Sequence, residues 1–160
     1  RAVGRPDVIV YTDGACVPNP GRGSFGVVVQ RPDGGVLCRL RKDIGHATCN
    51  EAEWRGALAA LDVVLTQDHY GRVEIRMDSK LVVNQLTGRW RVKSDGLVKL
   101  AAEGQRRLQR LARRGVTVVV RWVPREQNAE ADRVAARLAL PSTAKSVTPR
   151  AASPSFRGSS

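Results

Sequence analysis

Four acidic side chains, Asp13, Glu53, Asp78 and Asp132, stand at points where strands end or helices begin. Asp13 closes the run Val8-Ile9-Val10-Tyr11-Thr12, whose β-branched and aromatic residues read as a strand. Side chains alternate along a strand, so Asp13 shares a face with Ile9 and Tyr11. A carboxylate on such a face is costly unless a cation meets it. Each acid also has an ordinary reading. Asp13-Gly14 can be a turn whose Asp caps its own backbone. Glu53 and Asp132 can serve helix dipoles, and Asp78 can cap the short helix after it. Taken one by one, these readings leave the common placement unexplained. If the first and fourth strands are parallel neighbours, Asp13 and Asp78 open onto one crevice, the usual ligand site of an α/β sheet. Carboxylates that close repel and raise each other's pKa unless a cation neutralises them. Oxygen donors without nearby His or Cys favour Mg2+ or Mn2+ over Zn2+. Two such ions ~3.5–4 Å apart can clamp the attacking and leaving oxygens of a phosphodiester.

The elements that must position these groups follow from periodicity. After the first strand comes a Pro-, Gly- and Asn-rich loop to Gly23. Phe25–Gln30 and Val36–Ile44 read as second and third strands about the Asp33-Gly34-Gly35 turn, which makes an antiparallel meander. Trp54, Ala57, Leu58, Leu61 and Leu65 then mark one face of a helix, with Thr48 or Asn50 as N-cap and Glu51 and Glu53 in its first turn. Arg72–Met77 reads as a fourth strand and Ser79–Leu86 as a short helix. A basic loop carrying Trp90 follows, then a helix with Leu97, Leu100, Ala101, Leu108 and Leu111 on one side and Arg106, Arg107, Arg110, Arg113 and Arg114 on the other. Val116–Val123 is nearly all apolar, the pattern of a strand buried on both faces. A loop over Pro124–Asn128 leads to a last helix marked by Ala131, Val134, Ala135 and Leu138 and ending near Pro141. The order implies an α/β fold: one mixed sheet of five strands, three antiparallel and then parallel ones, with helices on both faces.

Length fits one domain over residues 7–140, with residues 1–6 as an extension and 141–160 as a disordered tail or linker poor in large apolar residues. The first six residues lack the apolar core of a secretory signal, and no apolar run approaches the ~20 residues of a membrane-spanning helix. Lys and Arg number 27 against 15 Asp and Glu, a formal charge of +12, which favours nucleic acid over a membrane as partner. Cys16, Cys38 and Cys49 are an odd set without CxxC spacing, the usage of reduced thiols in a cytoplasmic protein.

Thr12-Asp13-Gly14-Ala15 with Asn19-Pro20-Gly21, then Thr48-Cys49-Asn50-Glu51-Ala52-Glu53-Trp54, Asp78-Ser79, and Val123-Pro124-Arg125-Glu126-Gln127-Asn128 through Ala131-Asp132 occur in the order of the type 1 ribonuclease H family, which this sequence resembles over about residues 7 to 140. The last loop is similar to that of bacterial and archaeal members reading Val-Pro-Arg-Glu rather than to those with a His-bearing loop. The resemblance implies a ribonuclease H-like fold and hydrolysis of the RNA strand of RNA–DNA hybrids, leaving 5′-phosphate and 3′-hydroxyl ends, by a monomer using two Mg2+ or Mn2+ ions. It assigns Asp13 as the bridge between both ions, Glu53 and Asp78 to one, and Asp132 to the other. It further assigns hybrid contacts to Gly14, Asn19, Thr48, Cys49, Asn50 and Ser79, with Trp90 and Lys93 of the basic loop contributing grip. Gly14 is expected to form a turn that brings the backbone close to the RNA strand. Two departures stand out. Cys49 replaces a second Asn found in many relatives, and Arg125 stands in the loop where others carry His, either handling protons or product or simply meeting phosphate. Rival readings are a structure-specific DNA nuclease or recombinase on a similar sheet, which would cut plain duplex DNA, and a non-catalytic hybrid-binding module, which gains nothing from clustered negative charge near phosphates.

Overall fold

The computed structural model describes residues 4–136. Five strands form one sheet in the order β3-β2-β1-β4-β5: β1 (Val8–Val17), β2 (Gly21–Gln30), β3 (Val36–Ala47), β4 (Arg72–Met77) and β5 (Thr117–Trp122). The β1–β2 and β2–β3 pairs are antiparallel, and the β1–β4 and β4–β5 pairs are parallel. The four helices are α1 (Cys49–Leu65), α2 (Lys80–Leu86), α3 (Asp95–Arg113) and α4 (Ala129–Ala136), with a 3-10 turn at Arg125–Asn128 leading into α4. The mixed sheet and the element order are those expected. Residues 1–3, Leu138, Pro141 and the 141–160 tail lie outside the described residues.

The two faces of the sheet differ. Val8, Val10, Val27, Ile75 and Met77 pack with Trp54, Leu61 and Val64 of α1 and Leu97 and Leu111 of α3 into one apolar core. Trp54 is fully buried, and its indole N–H donates to Gln85 Oε1 of α2 at 2.8 Å, satisfying both polar groups. Gly104 of α3 leaves the room this ring needs, since a Cβ there would come within 2.9 Å of Trp54 Cζ3. On the opposite face α4 buries Ala131 and Val134 against Val28, with Tyr11 beside them.

Three sequence expectations are corrected. β2 starts at Gly21 rather than Phe25, because its Gly-rich first half pairs on both sides, with β1 and with β3. β1 continues to Val17, so Asp13 lies inside that strand, opposite Gly26, and not at its end. What ends near Asp13 is the parallel pairing with β4, whose last register pair is Tyr11–Arg76. Finally, β5 is the sheet's outer strand and is half-exposed, not buried on both faces. Its apolar run covers the core on one side only.

Candidate active site

The acids converge where the two faces meet. Asp13 is buried, 5% exposed, and points to the α4 side of the sheet with Tyr11. Glu53 arrives from α1 on the other side. Gly14 makes this approach possible: a Cβ at that position would overlap the Ala52 carbonyl carbon and the Glu53 amide nitrogen. Its N–H donates to Glu53 Oε1 at 3.0 Å. Gly14 is thus not the expected turn but a gap in the β1 surface that lets α1 settle against the strand. Asp78 leaves the end of β4, and Asp13, Glu53 and Asp78 each present an oxygen within 4.8 Å of the other two. Asp132, in the first turn of α4, is not in that tight trio but lies close enough to add to the rise in the Asp13 pKa.

Local sequence explains why these elements sit as they do. Thr48 is the N-cap of α1: its Oγ1 accepts the Glu51 N–H at 3.1 Å, while Glu51 Oε1 accepts the Thr48 N–H at 2.9 Å. Thr48 therefore fills the role that Thr48 and Asn50 shared in the sequence reading. Glu53 moves into the second turn, free of the helix end. Ser79 caps α2 by accepting the Val82 N–H at 3.2 Å, which fixes the turn holding Asp78. The buried Asn128 donates from Nδ2 to the Thr12 carbonyl at 3.0 Å, tying the start of α4 to the residue before Asp13. Asn128 lies in the recognised Glu-Gln-Asn segment, but its positioning role has no signature in spacing.

Electrostatics makes the cluster unfavourable on its own. Burial raises the Asp13 pKa well above its ordinary value, and the Glu53 charge, the neighbouring Asp132 and the Asp78 charge add to that rise. Burial and the charge of Asp78 likewise push Glu53 up, opposed by the Gly14 N–H, Asp13 and the Arg125 guanidinium. Asp78 Oδ2 is buried without a hydrogen-bond partner, and Arg125 Nε stands 3.8 Å from it on a side chain that is 85% exposed. A set of hard oxygen donors with an orphaned carboxylate oxygen suits divalent cations.

The remaining expected residues border the site. Asn19 Oδ1 accepts the Cys49 N–H at 3.1 Å, satisfying a free donor at the start of α1. Cys49 is half-buried, its thiol directed at the Cys16 carbonyl at 3.7 Å, and Asn50 is exposed beside it. Trp90 is 48% exposed and Lys93 is exposed, both on the loop between α2 and α3. Cys38 is a core thiol whose burial pushes its pKa up to about 12. No described helix is long and apolar enough to cross a membrane.

A family described as "Reverse transcriptase-like" matches residues 11–138. The chain is 40% identical over 131 residues to "Bifunctional protein Rv2228c" of Mycobacterium tuberculosis, matching over 80% of this chain but only 34% of that protein. It is 37% identical over 142 residues to "Ribonuclease HI" of Halobacterium salinarum, covering 84% of this chain and 67% of that protein. Among solved structures, LC11-RNase H1 in complex with an RNA/DNA hybrid superposes with a TM-score of 0.73 at 34% identity, over 81% of this chain and 94% of the other. A sheet of this order, acids converging beside β1 and relatives matched along most of the chain agree, and the chain belongs to the type 1 ribonuclease H family.

Proposed function

We propose that residues 7–140 form an endonuclease that hydrolyses the RNA strand of RNA–DNA hybrids, leaving 5′-phosphate and 3′-hydroxyl ends. The observation that carries this reading is the Asp13–Glu53–Asp78 trio, three oxygens within 4.8 Å of one another, with Asp132 near enough to perturb Asp13. Asp13 would hold two Mg2+ ions, with Mn2+ as the alternative, Glu53 and Asp78 completing one and Asp132 the other. Bound there, the ions supply Lewis acidity at the attacking water and the leaving oxygen.

The protein's own contribution is preorganisation. Gly14 holds the Glu53 carboxylate by its N–H, Ser79 fixes the turn bearing Asp78, and Asn128 anchors the segment bearing Asp132. Arg125, exposed beside Asp78, would meet the phosphate nearest that carboxylate, where a guanidinium favours the developing charge. Asn19, Cys49 and Asn50 line the start of α1 next to Glu53 and would face the hybrid's groove, while Thr48 spends its hydroxyl on the helix cap and would contact through its exposed remainder. Trp90 and Lys93 would grip the strand farther out, one by stacking and one by charge. The +12 charge draws in the duplex and makes binding fall steeply with salt. The natural setting is a monomer in the cytoplasm.

The test is a gel assay on end-labelled hybrid with Mg2+, with Mn2+ and with chelator. Wild type is expected to cut only the RNA strand, only with metal, and Asp13→Asn to cut nothing. Equal cutting by the mutant would sink the site assignment, and cutting of plain duplex DNA would move the substrate.

A further inference from the structure

A groove of about 360 Å3 runs along the outer edge of β5 where α2 comes alongside it. That volume lies in the ~300–1,000 Å3 range of ligand-sized clefts. Its walls carry Lys80, Asn84 and Arg89 from the α2 side and Arg121 and Trp122 from β5, over a floor of valines. No carboxylate lines it. Among the described residues Lys80 and Arg89 make no ion pair, and Arg121 shares the single Glu74 carboxylate, at 3.1 Å, with Arg76 at 2.6 Å. The groove thus carries two cations without a carboxylate partner, Lys80 and Arg89, beside a third that shares one. Trp122 is 41% exposed, an unusual setting for so large a ring, and Lys80 Nζ sits 4.8 Å from its centroid. The indole N–H donates to the Asp78 carbonyl at 3.2 Å. The aromatic wall of the groove is therefore fastened to the backbone of a site carboxylate.

An exposed aromatic ring beside cations that lack a carboxylate partner, here Lys80 and Arg89, is an arrangement that holds single-stranded nucleic acid, by stacking on the ring and phosphate contacts around it. We infer that this β5–α2 groove binds unpaired RNA running on from the hybrid. The inference rests on the proposed hydrolysis of hybrids: the strand at Asp78 is then the RNA strand, and its continuation past the carboxylates meets Trp122 and Lys80. The rival occupant within this chain is the segment after residue 136. It carries Arg137, Lys145, Arg150 and Arg157 and no acid, so its charge opposes entry into a basic groove.

Two measurements test this. The first compares a blunt hybrid with hybrids whose RNA strand continues as about six unpaired nucleotides at the 5′ or the 3′ end, a length within single-strand site sizes. One polarity of RNA extension is expected to lower KM about tenfold with kcat unchanged, the scale of one base stack with a phosphate contact. Lys80→Gln and, separately, Arg89→Gln should remove most of that gain while cutting the blunt hybrid as wild type does. The second places 4-thiouridine in the extension, binds it to the cleavage-deficient Asp13→Asn chain and maps the photocross-link, expected within residues 119–122. That readout needs no catalysis, so failure of the hydrolase reading, seen as an uncut blunt hybrid, is separate from failure of the groove. The inference is overturned if neither RNA extension changes KM, if the gain survives in Lys80→Gln, if only a DNA-strand extension produces it, or if the cross-link maps elsewhere.

Discussion

The two faces of the sheet hold the same site by unequal means. On the α1 side, Glu53 belongs to a 17-residue helix buried along its length around Trp54 and Leu61. On the α4 side, Asp132 belongs to a helix whose described residues bury only the small side chains Ala131, Val134 and Ala135, against Val28, Tyr11 and Gly26, with Ser24 Oγ donating to the Ala135 carbonyl and Arg39 paired with Glu130. Large fully buried side chains each contribute roughly 1.5–3 kcal/mol of burial, whereas alanines contribute far less. One acid is therefore set beside a core of large side chains, and the other on a helix held, among the described residues, by small side chains, polar contacts and Asn128. The trio Asp13, Glu53 and Asp78 is built in by the fold, while Asp132 is the proposed ligand whose position is most easily disturbed. The family's chemistry needs both, so the two faces should fail differently.

The largest expected effect comes from the group both faces share. Asp13→Asn should lower hybrid cleavage by at least ~1,000-fold, since no other group can stand between both proposed metal positions. The same change removes the carboxyl whose charge is most disfavoured, by burial first and by its acidic neighbours second, so the chelated mutant should melt at a higher temperature than chelated wild type. Initial rates and thermal melts in excess chelator read the two effects. A mutant that is inactive and also less stable would mean that the carboxyl is structural.

Next in size is a break on the deep face. Gly14→Ala puts a Cβ into the α1 backbone at Ala52 and Glu53, where neither partner can move without shifting Trp54 in the core. A displacement of about 1 Å at a positioned group costs on the order of 100-fold in rate, and overpacking typically adds ~1–3 kcal/mol of destabilisation. Rate and melting temperature should fall together.

The thin face answers differently. A Cβ on Gly26 would come within 2.7 Å of the Ala135 nitrogen and 2.8 Å of the Ala131 carbonyl oxygen, pushing α4 outward. Because the described part of α4 buries only small side chains, Gly26→Ala should cost less stability than Gly14→Ala and reduce the rate about tenfold, mainly by raising the Mg2+ concentration needed for half-maximal activity. Metal titration of both variants sharpens the contrast. An equal metal requirement would show that Asp132 is held as firmly as Glu53.

Much of this was legible in the residues. The four acids, the meander, the helical face from Trp54 to Leu65 and the mixed sheet all follow from periodicity and from motifs. What was not legible depends on neighbours distant in sequence. The apolar run Val116–Val123 looks the same whether another strand lies beyond it or not, and only the strand order makes β5 an edge with a groove. Gly14 reads locally as a turn because Asp-Gly favours turns, whereas its actual reason is the α1 backbone pressing on it from 39 residues away. The Gly-rich start of β2 has weak strand propensity and becomes a strand because it is paired on both sides.

The smallest effect concerns how far the trio depends on bound cations. Asp13 and Glu53 have folded-state pKa values above their ordinary 3.8 and 4.5, so over the intervening range the folded chain retains protons that the unfolded chain has released. Their contribution is thus fully present below those ordinary values and is lost as pH rises through the raised ones. Chelated wild type should therefore lose a few degrees of melting temperature, roughly the shift of ~1 kcal/mol in a domain this size, between mildly acidic and mildly alkaline pH. Asp13→Asn should flatten the slope. Saturating Mg2+ should flatten it too, because the cation takes over the neutralising role of the protons. A slope that Mg2+ leaves unchanged would place the ion away from these carboxylates, and the contrast between the two faces would then concern packing alone.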